Sequence, residues 1–122
     1  MKATVMLVDD SRVARMMARA AVERLVPSAV IIECGTGEAA LAAATATPPD
    51  FVLMDVNMPG LGGIATARQL RQRYPAAVVS LLTANIQDPV REQAEEVGVG
   101  FIAKPLREQD LRAFLGLGAG AP

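Results

Sequence analysis

The stretch Phe51-Val52-Leu53-Met54-Asp55-Val56-Asn57-Met58-Pro59-Gly60 decides how the rest of the chain is interpreted. Four apolar residues lead into Asp55, and a Pro-Gly turn comes soon after it. A short, unbroken apolar run bounded by turn residues is typical of a strand buried on both faces. A carboxylate at the end of such a strand is costly unless a partner offsets its charge, so Asp55 suggests a functional site.

Similar apolar runs lie on both sides of this stretch and alternate with segments of helical period. We predict strands at residues 4–8, 29–33, 51–55, 78–82 and 99–103. The intervening helices begin near Ser11, Glu38, Gly62 or Gly63, and Asp88, and a last one carries Leu111, Phe114 and Leu115. Five strands alternating with five helices predict an α/β fold, with a parallel sheet covered on both faces.

The first helix shows two stripes at helical spacing. The apolar stripe is expected to face the core and the polar one the solvent, as in surface helices. The apolar stripe consists of Val13, Met16, Met17 and Ala20, and the polar stripe of Arg12, Arg15, Arg19 and Glu23.

Composition excludes several classes of function. The 122 residues suit one domain, and the net charge of −1 gives no bulk attraction for nucleic acid. Histidine is absent, which excludes Ser-His and Cys-His triads as well as histidine metal sites. The lone cysteine, Cys34, ends an apolar run and is interpreted as a buried side chain rather than a reactive thiol. Without a signal peptide or a run of about 20 apolar residues, the chain is expected to be cytoplasmic.

Reactive side chains follow four of the five predicted strands. They are Asp9 with Asp10, Asp55, Thr83 and Lys104. The carboxyl ends of parallel strands share one edge of the sheet, where ligands bind in open α/β folds. Three carboxylates held together repel one another, and Mg²⁺ relieves that repulsion. Lys104 and Thr83 are the residue types that hold phosphate oxygens, and Asp55 is best placed to attack phosphorus.

These residues resemble the receiver domain of two-component response regulators, closest in size to the stand-alone chemotaxis type. The matching motifs are Leu7-Val8-Asp9-Asp10-Ser11, Asp55-Val56-Asn57-Met58-Pro59-Gly60, Leu82-Thr83-Ala84 and Phe101-Ile102-Ala103-Lys104-Pro105. The resemblance implies a flavodoxin-like, doubly wound sheet of strand order 2-1-3-4-5. The match covers residues 3 to about 116, so residues 1–116 are interpreted as one receiver domain and residues 117–122 as a flexible tail or the start of a linker.

By the same resemblance, Asp55 receives a phosphoryl group from a histidine kinase or a histidine phosphotransfer protein. Mg²⁺, or Mn²⁺ in its place, is bound by Asp10, Asp55 and the backbone carbonyl of Asn57, with Asp9 acting through water. Thr83, the amide of Ala84 and Lys104 hold the phosphoryl group. The absence of histidine from this chain fits a donor histidine on a partner.

The resemblance also implies a switch and an output surface. Phe101 occupies the family's aromatic switch position, although a plain core phenylalanine fits the sequence equally well. Lys104-Pro105 is implied to be a cis peptide. The phosphorylated state is displayed to an unknown downstream protein on a face formed by residues 88–115. The arginines Arg12, Arg15 and Arg19 form either a docking face for the phosphotransfer partner or a solvated helix face.

Two positions bear on how long the phosphoryl group lasts. Asn57 and Asn85 lie two residues beyond Asp55 and Thr83, where the family tunes hydrolysis. Amides orient water but are not strong bases, so autodephosphorylation of moderate rate is expected. Leu61-Gly62-Gly63 departs from the family, which often has an acidic residue before the last glycine, and extra flexibility is expected in this loop.

Other functions fit the sequence less well. A phosphatase using an aspartyl phosphate usually needs a second aspartate two residues after the nucleophile, where this chain has Asn57. A flavodoxin-like cofactor binder is disfavoured by the carboxylate-lined crevice and the shortage of aromatic residues. A phosphorelay intermediate uses the same chemistry as a regulator. We therefore expect a signalling module and not an enzyme with its own substrate.

Overall fold

The chain was analysed as a computed structural model that describes residues 2–84 and 88–118. Within these residues, strands and helices alternate as the sequence predicted. The strands are β1 (Thr4–Val8), β2 (Val30–Cys34), β3 (Phe51–Asp55), β4 (Val78–Thr83) and β5 (Gly100–Ala103). The helices are α1 (Arg12–Leu25), α2 (Gly37–Ala46), α3 (Gly63–Arg73), α4 (Asp88–Val97) and α5 (Glu108–Phe114).

The five strands form one parallel sheet of order β2-β1-β3-β4-β5. This confirms the predicted doubly wound fold and its strand order. The register pairs Val8 of β1 with Met54 of β3, so the residues after them, Asp9 and Asp55, end their strands at the same level. All the carboxyl ends therefore lie at one edge of the sheet.

The sheet separates two hydrophobic clusters, because alternate residues of a strand point to opposite faces. Met6, Val8 and Met54 pack on the side of α2, α3 and α4, whereas Leu7 and Leu53 pack on the side of α1 and α5. Within the described part of the chain, no helix is both long and apolar enough to cross a membrane.

The outward side of α1 corrects one expectation from the sequence. The residues of its apolar stripe are exposed, at 65% for Val13, 59% for Met16 and 70% for Met17, and Ala20 is exposed with them. Ala18 and Val22 form the buried side instead, with Ala21 and Leu25 half-buried against the same cluster. Both sets repeat at helical spacing, and α1 packs on the sheet through the set that contains Ala18 and Val22 rather than through its methionines.

The other boundaries agree with the prediction to within one residue. Strands β2 and β5 begin one residue later than expected, at Val30 and Gly100. Ser11 is the N-cap of α1, and its hydroxyl accepts a hydrogen bond from the amide of Ala14 at 3.2 Å. Asp88, expected to cap α4, is already its first residue.

Two glycines allow helices to approach closely near the third strand. A Cβ atom added to Gly63 would lie 2.0 Å from the backbone oxygen of Asp55. A Cβ atom added to Gly37 would lie 2.0 Å from Oγ1 of Thr66, which is fully buried and donates a 2.6 Å hydrogen bond to the carbonyl of Gly62. The N-terminus of α2 therefore packs directly against the first turn of α3.

The substitution Gly37→Ala is expected to lower the free energy of unfolding by about 1–3 kcal/mol, the usual cost of overpacking a core. Alanine improves helix propensity by at most about 1 kcal/mol, which is too little to offset the clash with Thr66. Chemical denaturation measures the change. Gly35→Ala is the control, because its new Cβ atom would meet nothing closer than 3.6 Å. The double variant Gly37→Ala/Thr66→Ala should recover part of the loss, and equal stability of Gly37→Ala and the unsubstituted protein would contradict the prediction.

Candidate functional site

The carboxyl edge of the sheet brings the predicted site residues together. Asp9 follows β1, Asp55 and Thr83 end β3 and β4, and Lys104 follows β5. Asp9, Asp55 and Thr83 are buried, at 5%, 3% and 1% exposure. The backbone amide of Lys104 donates a 2.7 Å hydrogen bond to the carbonyl of Thr83, which extends the pairing of β4 and β5 into the site.

Three carboxylates converge at this edge. Asp9, Asp10 and Asp55 each offer an oxygen within 4.8 Å of the others, and Asp10 is the exposed member. Backbone amides two residues further along the chain orient two of the carboxylates. Oδ1 of Asp9 accepts from Ser11 at 2.9 Å, and Oδ1 of Asp55 accepts from Asn57 at 3.3 Å.

Lys104 links the two buried acids. Its Nζ lies 3.3 Å from Oδ1 of Asp55 and 3.5 Å from Oδ2 of Asp9. The ammonium therefore offsets part of the repulsion between two carboxylates that are both removed from water. The Lys104–Pro105 peptide bond is cis, as the resemblance implied.

Asp55 is the acid most affected by this environment. Burial raises the pKa of its carboxyl, and the nearby charge of Asp9 raises this pKa further. The ammonium of Lys104 and the hydrogen bond from the amide of Asn57 oppose these effects without cancelling them. The crowded acids thus leave Asp55 less readily ionised than an ordinary aspartate.

The residues present fit a small divalent cation. Oδ2 of Asp9 is buried and has no hydrogen-bond partner among the described residues, its nearest charge being the ammonium of Lys104. An unsatisfied carboxylate oxygen beside two further carboxylates is the donor set that hard cations such as Mg²⁺ prefer. The loop that carries Asn57, the predicted carbonyl ligand, adjoins this acid group, since its amide contacts Asp55.

The residues predicted to form a switch lie on β4, directly after it, and on β5. Thr83 is buried at the end of β4, and Ala84 after it is exposed. Phe101 is half-buried against the cluster on the α2, α3 and α4 side, and the Arg91 guanidinium lies 5.4 Å from its ring centroid. The ring therefore packs half-buried against this cluster while one part of it faces α4. Asn85, the second residue predicted to tune hydrolysis, lies outside the described residues.

The arginines of α1 do not form a uniform solvated face. Arg15 is only 18% exposed and Arg19 is 42% exposed, and both form ion pairs with Glu33 of β2. Arg12 is exposed. The contact of Arg15 with Glu33 was not predicted from the sequence. The spacing of polar residues along a helix does not show which side chain turns toward a neighbouring strand. The contact of Arg91 with Phe101 was missed for a similar reason.

Cys34 agrees with its interpretation as a buried side chain. It lies at the end of β2, and burial raises the pKa of its thiol, with Arg15 partly opposing the rise. Its backbone oxygen accepts a 3.1 Å hydrogen bond from the amide of Asp9. Cys34 therefore supports the site through its backbone.

Comparisons with known proteins agree with this geometry. The family model for the response regulator receiver domain matches residues 5–115. The chain is 36% identical to the cyclic di-GMP phosphodiesterase response regulator RpfG of Xanthomonas campestris, over 89% of this chain and 30% of that protein. It is 36% identical to the positive alginate biosynthesis regulatory protein of Pseudomonas aeruginosa, over 91% of this chain and 45% of that protein.

A third relative is the nitrate/nitrite response regulator protein NarL of Escherichia coli, 30% identical over 89% of this chain and 51% of that protein. The chain thus spans between 30% and 51% of the length of these three relatives. Solved structures share the fold. A chemotaxis protein of Vibrio cholerae superimposes with a TM-score of 0.86 at 26% identity, covering 95% of this chain and 98% of that one. A LuxR-family response regulator from Aurantimonas gives 0.81 at 29% identity, covering 100% and 91%.

The pKa of Asp55 leads to a prediction for Asp55→Asn in metal-free protein. Because this pKa is raised on folding, the unfolded chain loses the proton at lower pH than the folded protein does. Stability is therefore lost as the pH rises through the raised value. The amide removes that cost, and we expect a higher Tm for Asp55→Asn than for the unsubstituted protein at pH 7 in EDTA.

Thermal unfolding followed by circular dichroism measures this change. The gain should vanish below the ordinary pKa of aspartate, about 3.9, where the carboxyl is protonated in both states. Glu92→Gln, at an exposed position of α4, is the control for losing one negative charge. A lower Tm for Asp55→Asn at pH 7 in EDTA would contradict the prediction.

Proposed function

The chain belongs to the response regulator receiver family, and from that premise we propose that Asp55 is its phosphoacceptor. The observation that carries the proposal is the position of the Asp55 carboxylate. It is buried at the carboxyl edge between Asp9 and Lys104, with a backbone amide directed at one of its oxygens. Receiver domains are phosphorylated by histidine kinases or histidine phosphotransfer proteins, and the same kind of donor is proposed here.

The transfer needs little chemistry from this chain beyond positioning and charge. A carboxylate oxygen of Asp55 bonds to phosphorus as the bond from phosphorus to the donor's imidazole nitrogen breaks. The products are an acyl phosphate and a neutral imidazole that carries a proton on its other nitrogen. Asp9, Asp10, Asp55 and the Asn57 carbonyl would hold Mg²⁺ or Mn²⁺, which when bound neutralises charge on the phosphoryl oxygens.

In this proposal the ammonium of Lys104 leaves the two carboxylates and binds the phosphoryl oxygens. Its ammonium lies between Asp9 and Asp55 before the transfer. Once Asp55 carries the phosphoryl group, the strongest negative charge within its reach lies on the phosphoryl oxygens, and Lys104 binds there. The hydroxyl of Thr83 and the amide of Ala84 hold the other oxygens, which couples the chemistry to the end of β4.

The exposed side of α1 suits the approach of a donor protein. Asp55 is buried, so a donor histidine must enter from the carboxyl edge of the sheet. Met17 and Ala14 line a cavity of about 710 Å³ that continues to Lys104 and Leu106. Exposed apolar residues next to the reacting groups are characteristic of protein–protein contact surfaces. This surface replaces the arginine face as the proposed docking site, because Arg15 and Arg19 are already paired with Glu33.

The proposed output surface comprises α4, β5 and α5, within residues 88–115. Phe101 connects this surface to the site, since it lies on β5 three residues before Lys104 and is covered by Arg91 of α4. An unidentified downstream protein would respond to changes in this surface on phosphorylation.

A phosphatase acting on external substrates is the main alternative. It would place a general acid two residues after the nucleophile, and here that residue is Asn57, whose backbone amide donates a hydrogen bond to Asp55. An amide side chain does not donate a proton to a leaving group at neutral pH. We therefore propose one phosphorylation per chain instead of catalytic turnover.

Acetyl phosphate with Mg²⁺ is expected to add one phosphoryl group per chain, because the site itself positions Asp55 and neutralises charge. Intact-mass spectrometry measures the addition. Asp55→Asn should show none, and EDTA should prevent it in the unsubstituted protein. Asp50→Asn is the matched control, since Asp50 precedes β3 at the end of the strand opposite Asp55, and its carboxylate accepts a hydrogen bond from the amide of Thr4 at 2.8 Å. Continued release of phosphate from phosphomonoesters would favour the phosphatase instead.

The lifetime of the phosphoryl group is expected to be moderate, since Asn57 and Asn85 offer amides where a strong base would be needed for fast hydrolysis. Decay of the phosphorylated mass after removal of acetyl phosphate by gel filtration measures the lifetime. A lifetime of seconds or less, or of many hours, would contradict this prediction.

A further inference from the structure

Arg15 connects the acid pair to the neighbouring strand. Its Nη1 donates a short hydrogen bond to the backbone carbonyl of Asp9, and its Nε lies 3.3 Å from Oε1 of Glu33. The guanidinium therefore spans from the end of β1 to the end of β2, although Arg15 belongs to α1. Its side chain is 18% exposed, and its contact with the carbonyl of Asp9 is partly buried, whereas its contact with Glu33 is open to water.

We infer that Arg15 is a positioning residue for the acid pair Asp9–Asp10. The inference rests on the proposed cation site. The carbonyl of Asp9 and the amide of Asp10 belong to one planar peptide unit, so a hydrogen bond that holds the carbonyl also sets the direction in which Asp10 leaves the strand. The amide of Asp9 is held by Cys34, as described above. Arg15 holds the carbonyl of Asp9, a residue that follows the end of β1.

Asp10 is the acid that most needs this restraint. It is the exposed member of the acid group and lies between the end of β1 and the cap of α1, outside regular structure. Asp9 has in addition the 2.9 Å hydrogen bond from Ser11 to its carboxylate. Groups that orient metal ligands from outside the ligand set typically contribute about 10–100-fold to metal affinity.

The charge of Arg15 would by itself act against a cation. A guanidinium close to the acid group repels Mg²⁺ and competes for the carboxylates. Glu33 counters this effect, since it pairs with Arg15 through one oxygen and with Arg19 through the other, at 2.9 Å. Arg19 also pairs with Glu23 at 3.7 Å, so two cations and two anions form a balanced network. Arg15 can thus position the acid pair at little electrostatic cost.

A positioning role and a purely electrostatic role of Arg15 predict opposite effects of Arg15→Met on Mg²⁺ binding. If Arg15 acted only through its charge, Arg15→Met would remove a repelling cation and tighten Mg²⁺ binding. If Arg15 positions the acid pair, both Arg15→Met and Arg15→Lys weaken the binding. Lysine keeps the charge but lacks the fork that reaches Asp9 and Glu33 together.

The test is calorimetric titration of the unphosphorylated chain with MgCl₂, at a temperature where every variant is folded by circular dichroism. We expect Arg15→Lys and Arg15→Met to weaken Mg²⁺ binding about tenfold. Arg19→Lys is the matched control, because Arg19 shares Glu33 without contacting the acid pair, and it should stay within about twofold. Unchanged or tighter binding by either Arg15 variant would overturn the inference.

Amide hydrogen exchange in metal-free protein provides a second measurement. Exchange at the Asp9 amide, which donates a 3.1 Å hydrogen bond to the carbonyl of Cys34, should be faster in Arg15→Lys than in Arg19→Lys, whereas a general loss of stability would speed exchange across the whole sheet. Failure of the unsubstituted protein to bind Mg²⁺ would overturn the proposed function instead. In that case the positioning role is decided by the Asp9 amide alone, and equal exchange in the two variants would overturn it.

Discussion

The structure depends on one electrostatic constraint, the accommodation of two buried carboxylates beside a single ammonium. Asp9 and Asp55 end adjacent strands at the same level, and Lys104 approaches both from the end of β5. A parallel sheet makes this possible, because the carboxyl ends of its strands bring residues distant in sequence to one edge. One ammonium offsets two acids only in part, and the pKa of Asp55 remains raised. The site is therefore built to gain from a further positive charge.

Much of this site could be predicted from the sequence because its parts follow strands. An apolar run of four or five residues predicts a strand. Because the strands of a parallel sheet all run in the same direction, the first polar residue after each run lies at the carboxyl edge. Asp9, Asp55 and Lys104 were placed in this way, and the strand order agreed with the resemblance. The order of strands and helices along the chain is therefore enough to predict most residues of such a site.

The interactions between elements could not be predicted in the same way. The inward side of α1 was assigned to its methionines, whereas small residues such as Ala18 face the sheet, since hydrophobicity ranks side chains without regard to how closely two layers approach. The contacts of Arg15 with Asp9 and Glu33 depend on the orientation of a long side chain, which periodicity does not encode. Sequence reasoning thus located the acids and the lysine of the candidate site and missed the side-chain contacts around them.

The close contact between Gly37 and Thr66 has a consequence for how this protein can change over generations. A side chain at position 37 is excluded while the threonine hydroxyl occupies that space, but a smaller residue at position 66 removes the obstacle. The order of the two replacements therefore matters. A lineage that first shortens Thr66 keeps a folded intermediate, whereas one that first enlarges Gly37 passes through a strained one. The residues allowed at positions 37 and 66 are therefore expected to depend on each other.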